Sequence, residues 1–177
     1  MEGFYGLIDN GQTAVIEMAA CAGLPLVEEP TPERLRAALE GHGVVTVGTV
    51  FRGDKLSGAG TPEELRRAAD VVLVEADGAK RLPLKAPAEH EPVIPPCADA
   101  VAAVAGMDAV GQAVGAVCHR PERVCALLGA GAEHVLTPED VALLLANPQG
   151  GRKGVGEAMA FRCVLNKADT PQRAAHA

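Results

Sequence analysis

A three-layer α/β fold with a mostly parallel sheet is what this sequence predicts. Apolar runs rich in Val and Ala recur at residues 44–51, 71–76, 98–105 and 162–165. Between them lie amphipathic stretches, and those starting at Thr31, Thr61 and Thr137 share the opening Thr-Pro-Glu. The apolar residues are mainly Ala, Val and Leu, with no Trp, one Tyr and three Phe. Packing therefore rests on small aliphatic side chains, which suits Val-rich strands covered by Ala/Leu-rich helices. A chain of 177 residues suits one α/β domain over residues 1–177.

The elements follow in order. Residues 4–8 are short and apolar and predict a first strand; Asp9, Asn10 and Gly11 predict a turn. Residues 13–21 predict a helix, with Val15, Ile16, Met18, Ala19 and Ala22 forming an apolar stripe. Residues 24–30 are a loop or short strand. Thr31 caps a helix to about Glu40, with Pro32 at its first position and Leu35, Ala38 and Leu39 inward, ended by Gly41, His42 and Gly43. A strand spans 44–51, a polar turn 52–55, and a second capped helix 61–69. The strand beginning at Val71 is expected to be central. Residues 98–105 are a buried strand, and 109–118 are too small and mixed to assign. Helices are predicted from His119-Arg120-Pro121 to Leu128, closed by Gly129, and from Thr137. Residues 147–156 are a Gly-rich loop, 162–165 a last strand, and 170–177 too short to build much.

Charge and cysteine usage exclude several classes. The net charge is −7, from 16 basic and 23 acidic residues, which argues against nucleic acid or an anionic membrane as partner. Cys21, Cys97, Cys118, Cys125 and Cys163 are odd in number, widely spaced and without a C-x-x-C pair. Reduced thiols are expected, with neither zinc nor disulfide. No apolar run approaches a membrane span and the N-terminus has no signal-peptide pattern, so a cytoplasmic protein is expected.

Residues 71–96 organise the chain. A buried strand, 71–75, breaks at Asp77-Gly78 into a long segment stiffened by four prolines between Pro83 and Pro95. Ligands of open α/β sheets bind beyond the carboxyl ends of the strands, where this segment starts. Glu75 and Asp77, two apart at the strand end, can hold Mg²⁺ on one face or stand as solvated acids. Lys80, Arg81 and Lys85 can neutralise an anion or lie as solvated charge over the core. His90, between two glutamates, can serve as ligand or acid–base group, or neither. His119 and Arg120 stand at a helix start, where free N–H groups favour anions; a polar helix entry is the alternative.

Two further patterns concern nucleotides. A strand, a turn at Gly11 and a helix opening at Thr13 have the outline of a phosphate loop, but Gln12 stands where its lysine belongs and the glycines are few. Asn166-Lys167-Ala168-Asp169 follows a strand and resembles the N-K-x-D base-recognition motif of GTP-binding proteins. An Asp carboxylate accepts two N–H bonds from guanine, Asn offers donor and acceptor, and a Lys stem can lie over the ring. A polar strand-to-loop turn is the alternative.

Taken together, VLVEADGAKRLPLKAPAEHEPVIP (72–95), GMDAVG (106–111), HRPE (119–122), LTPEDVALLL (136–145) and VLNKAD (164–169) make the chain similar to the YqeC family. The resemblance covers roughly residues 41–170. Its members are described as accessory proteins of selenium-dependent hydroxylases and resemble P-loop nucleotide-binding proteins. The resemblance implies a P-loop-NTPase-like fold, here without an intact P-loop, since Gly11-Gln12-Thr13 stands where G-K-T is usual. Both ends are expected to be incomplete relative to the family. It further implies a nucleoside triphosphate, GTP or ATP, with Mg²⁺. Phosphate would lie near Lys80, Lys85, Gly11 and Thr13, metal near Glu75 and Asp77, and the base near Asn166, Lys167 and Asp169. The implied partner is a selenium-dependent molybdenum hydroxylase or its maturation factors. Two functions stay open: an NTPase-like accessory protein, and a non-catalytic binding or scaffold protein that has lost hydrolysis. A third, transfer to a molybdenum cofactor or from a selenium donor, requires a reactive cysteine.

Overall fold

The computed structural model describes residues 14–17, 23–52 and 55–177. Its contacts divide the chain into two compact units, residues 1–75 and 76–177. The strand expected at 4–8, the turn at 9–11 and the outline of a phosphate loop at Gly11, Gln12 and Thr13 lie outside the described residues.

The first unit carries β1 (Ala14–Glu17), β2 (Leu26–Val27), α1 (Pro32–His42), β3 (Val44–Val47), β4 (Thr49–Arg52), β5 (Lys55–Ser57), α2 (Pro62–Leu65) and β6 (Val71–Val74). Four strands form one sheet in the order β2-β3-β1-β6, and every pairing in it is parallel. Residues 14–17 are thus a strand where the sequence predicts part of a helix over 13–21. So short an apolar run, Ala14 to Ile16, reads equally as either, and here β-branched Val15 and Ile16 find backbone partners on both sides, in β3 and β6. Among the described strands β6 ends the sheet, next to β1, instead of lying at its centre. The apolar run 44–51 divides at Gly48, and β4 then pairs antiparallel with β5.

The helix starts obey local chemistry. Thr31 accepts the amide of Arg34 ahead of Pro32, and Gly43, at φ 69°, closes α1. Thr61 and Glu64 form a reciprocal capping box on α2, which stops at Leu65 and continues as turns. Leu35 and Leu39 of α1 meet Val45 and Val47 of β3, with Ala59 and Leu65, in one apolar cluster.

The second unit carries β7 (Leu84–Lys85), β8 (Ala100–Gly106), a 3-10 turn (Met107–Ala109), α3 (Val114–Val117), β9 (Cys118–His119), α4 (Pro121–Leu128), α5 (Pro138–Ala146), β10 (Ala160–Asn166) and α6 (Pro171–His176). β7 pairs with β9 and β8 with β10, both parallel. The unassigned stretch 109–118 therefore contributes α3 and the start of β9. The closing residues, expected to build little, form α6 under a Thr170 cap. Leu84, Met107, Val114, Val124, Leu136, Val141, Leu144 and Leu145 centre the core of this unit.

The mixed α/β character and the parallel pairing agree with the sequence: five of six strand pairings among the described residues are parallel. These strands fall into four separate sheets instead of one. Among the described residues, no helix is long and apolar enough to cross a membrane.

Leu144 is 2% exposed within the second core. Leu144→Ala is expected to lower unfolding free energy by about 3 kcal/mol, read from the urea midpoint of the second unit's transition. An unchanged midpoint would contradict the packing described.

Candidate functional site

Beyond β6 the chain leaves strand geometry at Glu75, which is exposed. The strand alternation that would align Glu75 with Asp77 therefore does not extend to them. Lys80 and Arg81 follow with left-handed backbones, φ 51° and 64°, and the amide of Leu82 closes the turn on the carbonyl of Ala79. Lys80 is exposed. β7 then brings Lys85 inward, its side chain 12% exposed.

Lys85 Nζ lies 2.9 Å from Asp77 Oδ2 and 2.9 Å from Glu91 Oε2, and donates to the carbonyl of Gly78 at 3.0 Å. Glu91 also takes both arms of Arg120, with Nη1 donating to Oε2 at 2.8 Å and Nη2 to Oε1 at 2.9 Å. The amide of Ala88 donates to Glu91 Oε2 at 3.3 Å. Burial alone would push the Glu91 carboxyl up; the Lys85 and Arg120 hydrogen bonds, with the Ala88 amide, overcome it and hold the group at about 2.

The turn that carries Glu91 is stapled from two other elements. Lys153 Nζ donates to the carbonyls of Ala88, of Glu89 at 2.9 Å and of Glu91 at 2.7 Å. Arg123 Nη1 donates to the carbonyl of Pro87 at 3.1 Å. Glu91 stands in the charged stretch noted in the sequence but carries no role in that reading, and Arg123 and Lys153 are absent from it. Arg123, one helical turn beyond Arg120, could have been found from spacing; Lys153, in a Gly-rich loop, offers no pattern.

The parallel register of β7 and β9 places His119 beside Lys85. Burial lowers its pKa first, with the charges of Arg120, Lys80 and Lys85 acting the same way and Glu91 opposing. His119 Nδ1 is buried and has no hydrogen-bond partner among the described residues. Asp77, Lys85, His119 and Arg120 are thus brought together. His90 is not: its side chain is 79% exposed, and Nε2 is 3.9 Å from Glu91 Oε1.

Asn166, Lys167 and Asp169 form a separate group at the carboxyl end of the β8/β10 pair. Asn166 Oδ1 accepts the amide of Lys167 at 2.8 Å, and Lys167 Nζ is 2.7 Å from Asp108 Oδ2. Asp169 Oδ1 lies 3.8 Å from Arg173 Nη1.

Asp77 already faces the Lys85 ammonium, and among the described residues no group of three His, Cys, Asp or Glu side chains could hold a metal ion. Cys97, Cys118, Cys125 and Cys163 form no disulfide among the described residues, and burial, with Cys125 second, pushes Cys118 up to about 11, far from a reactive thiolate. Cys21 lies outside the described residues.

Residues 9–122 match the protein family described as "YqeC protein". The chain is also 39% identical over 101 residues to the protein of Escherichia coli (strain K12) named "Uncharacterized protein YqeC". That alignment covers 54% of this chain and 40% of the relative, so the chain spans well under half the relative's length. No solved structure matches.

The Glu91 carboxyl lies lower in the folded protein than its ordinary 4.5, so its contribution is complete above about pH 4.5 and lost as pH falls toward 2. Wild-type stability is expected to decline across this window, and Glu91→Gln to remove on the order of 3 kcal/mol at pH 7 while flattening that decline. Urea melts of both proteins at pH 7, 4.5 and 3 check it; equal slopes would place the acid sensitivity elsewhere.

Proposed function

Because the chain belongs to the YqeC family, we propose that it is an accessory protein in maturation of a selenium-dependent molybdenum hydroxylase, working by binding and not by nucleotide hydrolysis. The observation that carries this reading is Lys85, held between Asp77 and Glu91. In phosphoryl transfer a lysine faces phosphate and an acid faces Mg²⁺. Here the two charges neutralise each other, and Arg120 is spent on Glu91 as well. The segment 76–96 then acts as a fixed surface for a protein partner, in a cytosolic protein whose ancestry is a three-layer, P-loop-like nucleotide-binding fold.

Nucleotide binding without turnover is part of the proposal. Its support is the position of Asn166, Lys167 and Asp169 at the carboxyl end of a parallel strand pair, where such folds place ligands. Lys80, exposed and cationic, and the N-terminal Gly11 and Thr13 stay candidates for phosphate contact; Glu75 and Asp77 have no metal step in this reading.

Calorimetric titration with GTP, GDP and ATP, with and without Mg²⁺, tests the binding part. GTP and GDP are expected to bind within about threefold of each other, unaffected by Mg²⁺, and to release no phosphate. Mg²⁺-dependent phosphate release that Lys85→Ala or Asp77→Ala abolishes would overturn it. For the accessory role, a strain lacking its YqeC protein should lose selenium-dependent hydroxylase activity. An undiminished activity would remove that role.

A further inference from the structure

We propose that Asp108 is a positioning residue for the base-contact loop, so that a guanine base is held by the ends of two adjacent strands and not by one. This rests on the base contact proposed above. The parallel register pairs Asn166 of β10 with Gly106 of β8, which brings the segments after both strands to the same edge. Two residues beyond Gly106, Asp108 reaches the Lys167 ammonium at 2.7 Å, across 59 residues of sequence. Helix α6, which begins just after Asp169, packs on the 3-10 turn that contains Asp108.

Lys167 needs such an anchor. Its backbone is left-handed, at φ 58°, a conformation disfavoured for a residue with a side chain. Two bonds hold it: its amide to Asn166 Oδ1 and its ammonium to Asp108 Oδ2. Asp108 is itself set by close packing, because a Cβ at Gly106 would overlap both its carboxylate and the Pro83 ring. The Gly106 amide donates to the Pro83 carbonyl at 2.8 Å, fixing that approach.

The same carboxylate has a second oxygen in an unusual state. Asp108 Oδ1 is buried and has no hydrogen-bond partner among the described residues. A buried acceptor without a donor is costly, so the place of this carboxylate depends on the bond of its other oxygen to Lys167. Asp169, by contrast, keeps a side chain 73% exposed. Its carboxylate can accept the N1–H and exocyclic N–H pair of guanine, which adenine lacks. Asp108 then fixes Lys167 beside that base without reading it directly.

Fluorescent GDP, displaced by GDP, ADP and XDP, measures this on the full chain. Asp169→Asn is expected to shift preference from GDP toward XDP, whose 2-carbonyl accepts from the new amide. Asp108→Asn is expected to weaken GDP about fivefold, the scale of a partly exposed ion pair, and to narrow the gap between GDP and ADP. Lys167→Gln breaks the same pair and also removes the stem beside the base, so it should lose at least as much, and adding Asp108→Asn to it should cost nothing further. A pair that serves stability alone would lower the melting temperature and leave the GDP-to-ADP ratio unchanged, which would overturn the positioning role. If Asp169→Asn switches preference while Asp108→Asn and Lys167→Gln keep GDP affinity within twofold, the base contact stands and this inference fails. If wild type does not distinguish GDP from ADP, the base contact itself fails.

Discussion

Glu91 accepts two guanidinium bonds from Arg120, one ammonium bond from Lys85 and one amide bond from Ala88. Its side chain is largely withdrawn from water. A carboxylate so placed is tolerated only while its partners stay, because burial of an unpaired charge costs several kcal/mol. The partners come from β7 and from the residue before α4, so this one group ties two elements that are 29 residues apart from it or closer in sequence. Proline stiffening reduces the entropy lost on ordering residues 83–96, yet proline lacks the N–H that would pair neighbouring carbonyls. Lys153 and Arg123 meet several of them. Charge pairing and backbone satisfaction thus act on the same turn.

This arrangement changes what the charged residues can do. A lysine and an acid near a strand end suggest phosphate and metal when read one at a time. Brought within 3 Å of each other, they offer a ligand little net field. His119, whose pKa is lowered first by burial and then by the cations around it, is disfavoured as a further positive charge. At the other strand pair Asp169 is exposed, and Asp108 Oδ1 is buried without a hydrogen-bond partner among the described residues.

What the sequence made legible was local chemistry. Thr31, Thr61 and Thr137 cap helices because the cap, the following proline and the acidic first turn sit within four residues of one another. Asn166-Lys167-Ala168-Asp169 was legible for the same reason, following a strand directly. Residues 14–17 were not, since whether so short a run becomes helix or strand depends on neighbours far along the chain. The candidate residues Asp77, Lys85, His119 and Arg120 were identifiable by type. The pairing that neutralises their charges was not, because it depends on contacts such as Arg120 with Glu91, 29 residues apart, that no spacing rule encodes.

Arg120 has a left-handed backbone, φ 59° and ψ 62°, and no side chain caps the helix that follows. Glycine and asparagine hold that backbone most easily, but neither can fork onto Glu91. Lysine shares the backbone cost and offers a single point of contact. One residue therefore answers to two demands, the direction of the chain entering α4 and the charge opposite Glu91. Evolutionary drift at position 120 is hemmed in from both sides: a change that relaxes the backbone abandons the acid, and a change that keeps a cation keeps the strain.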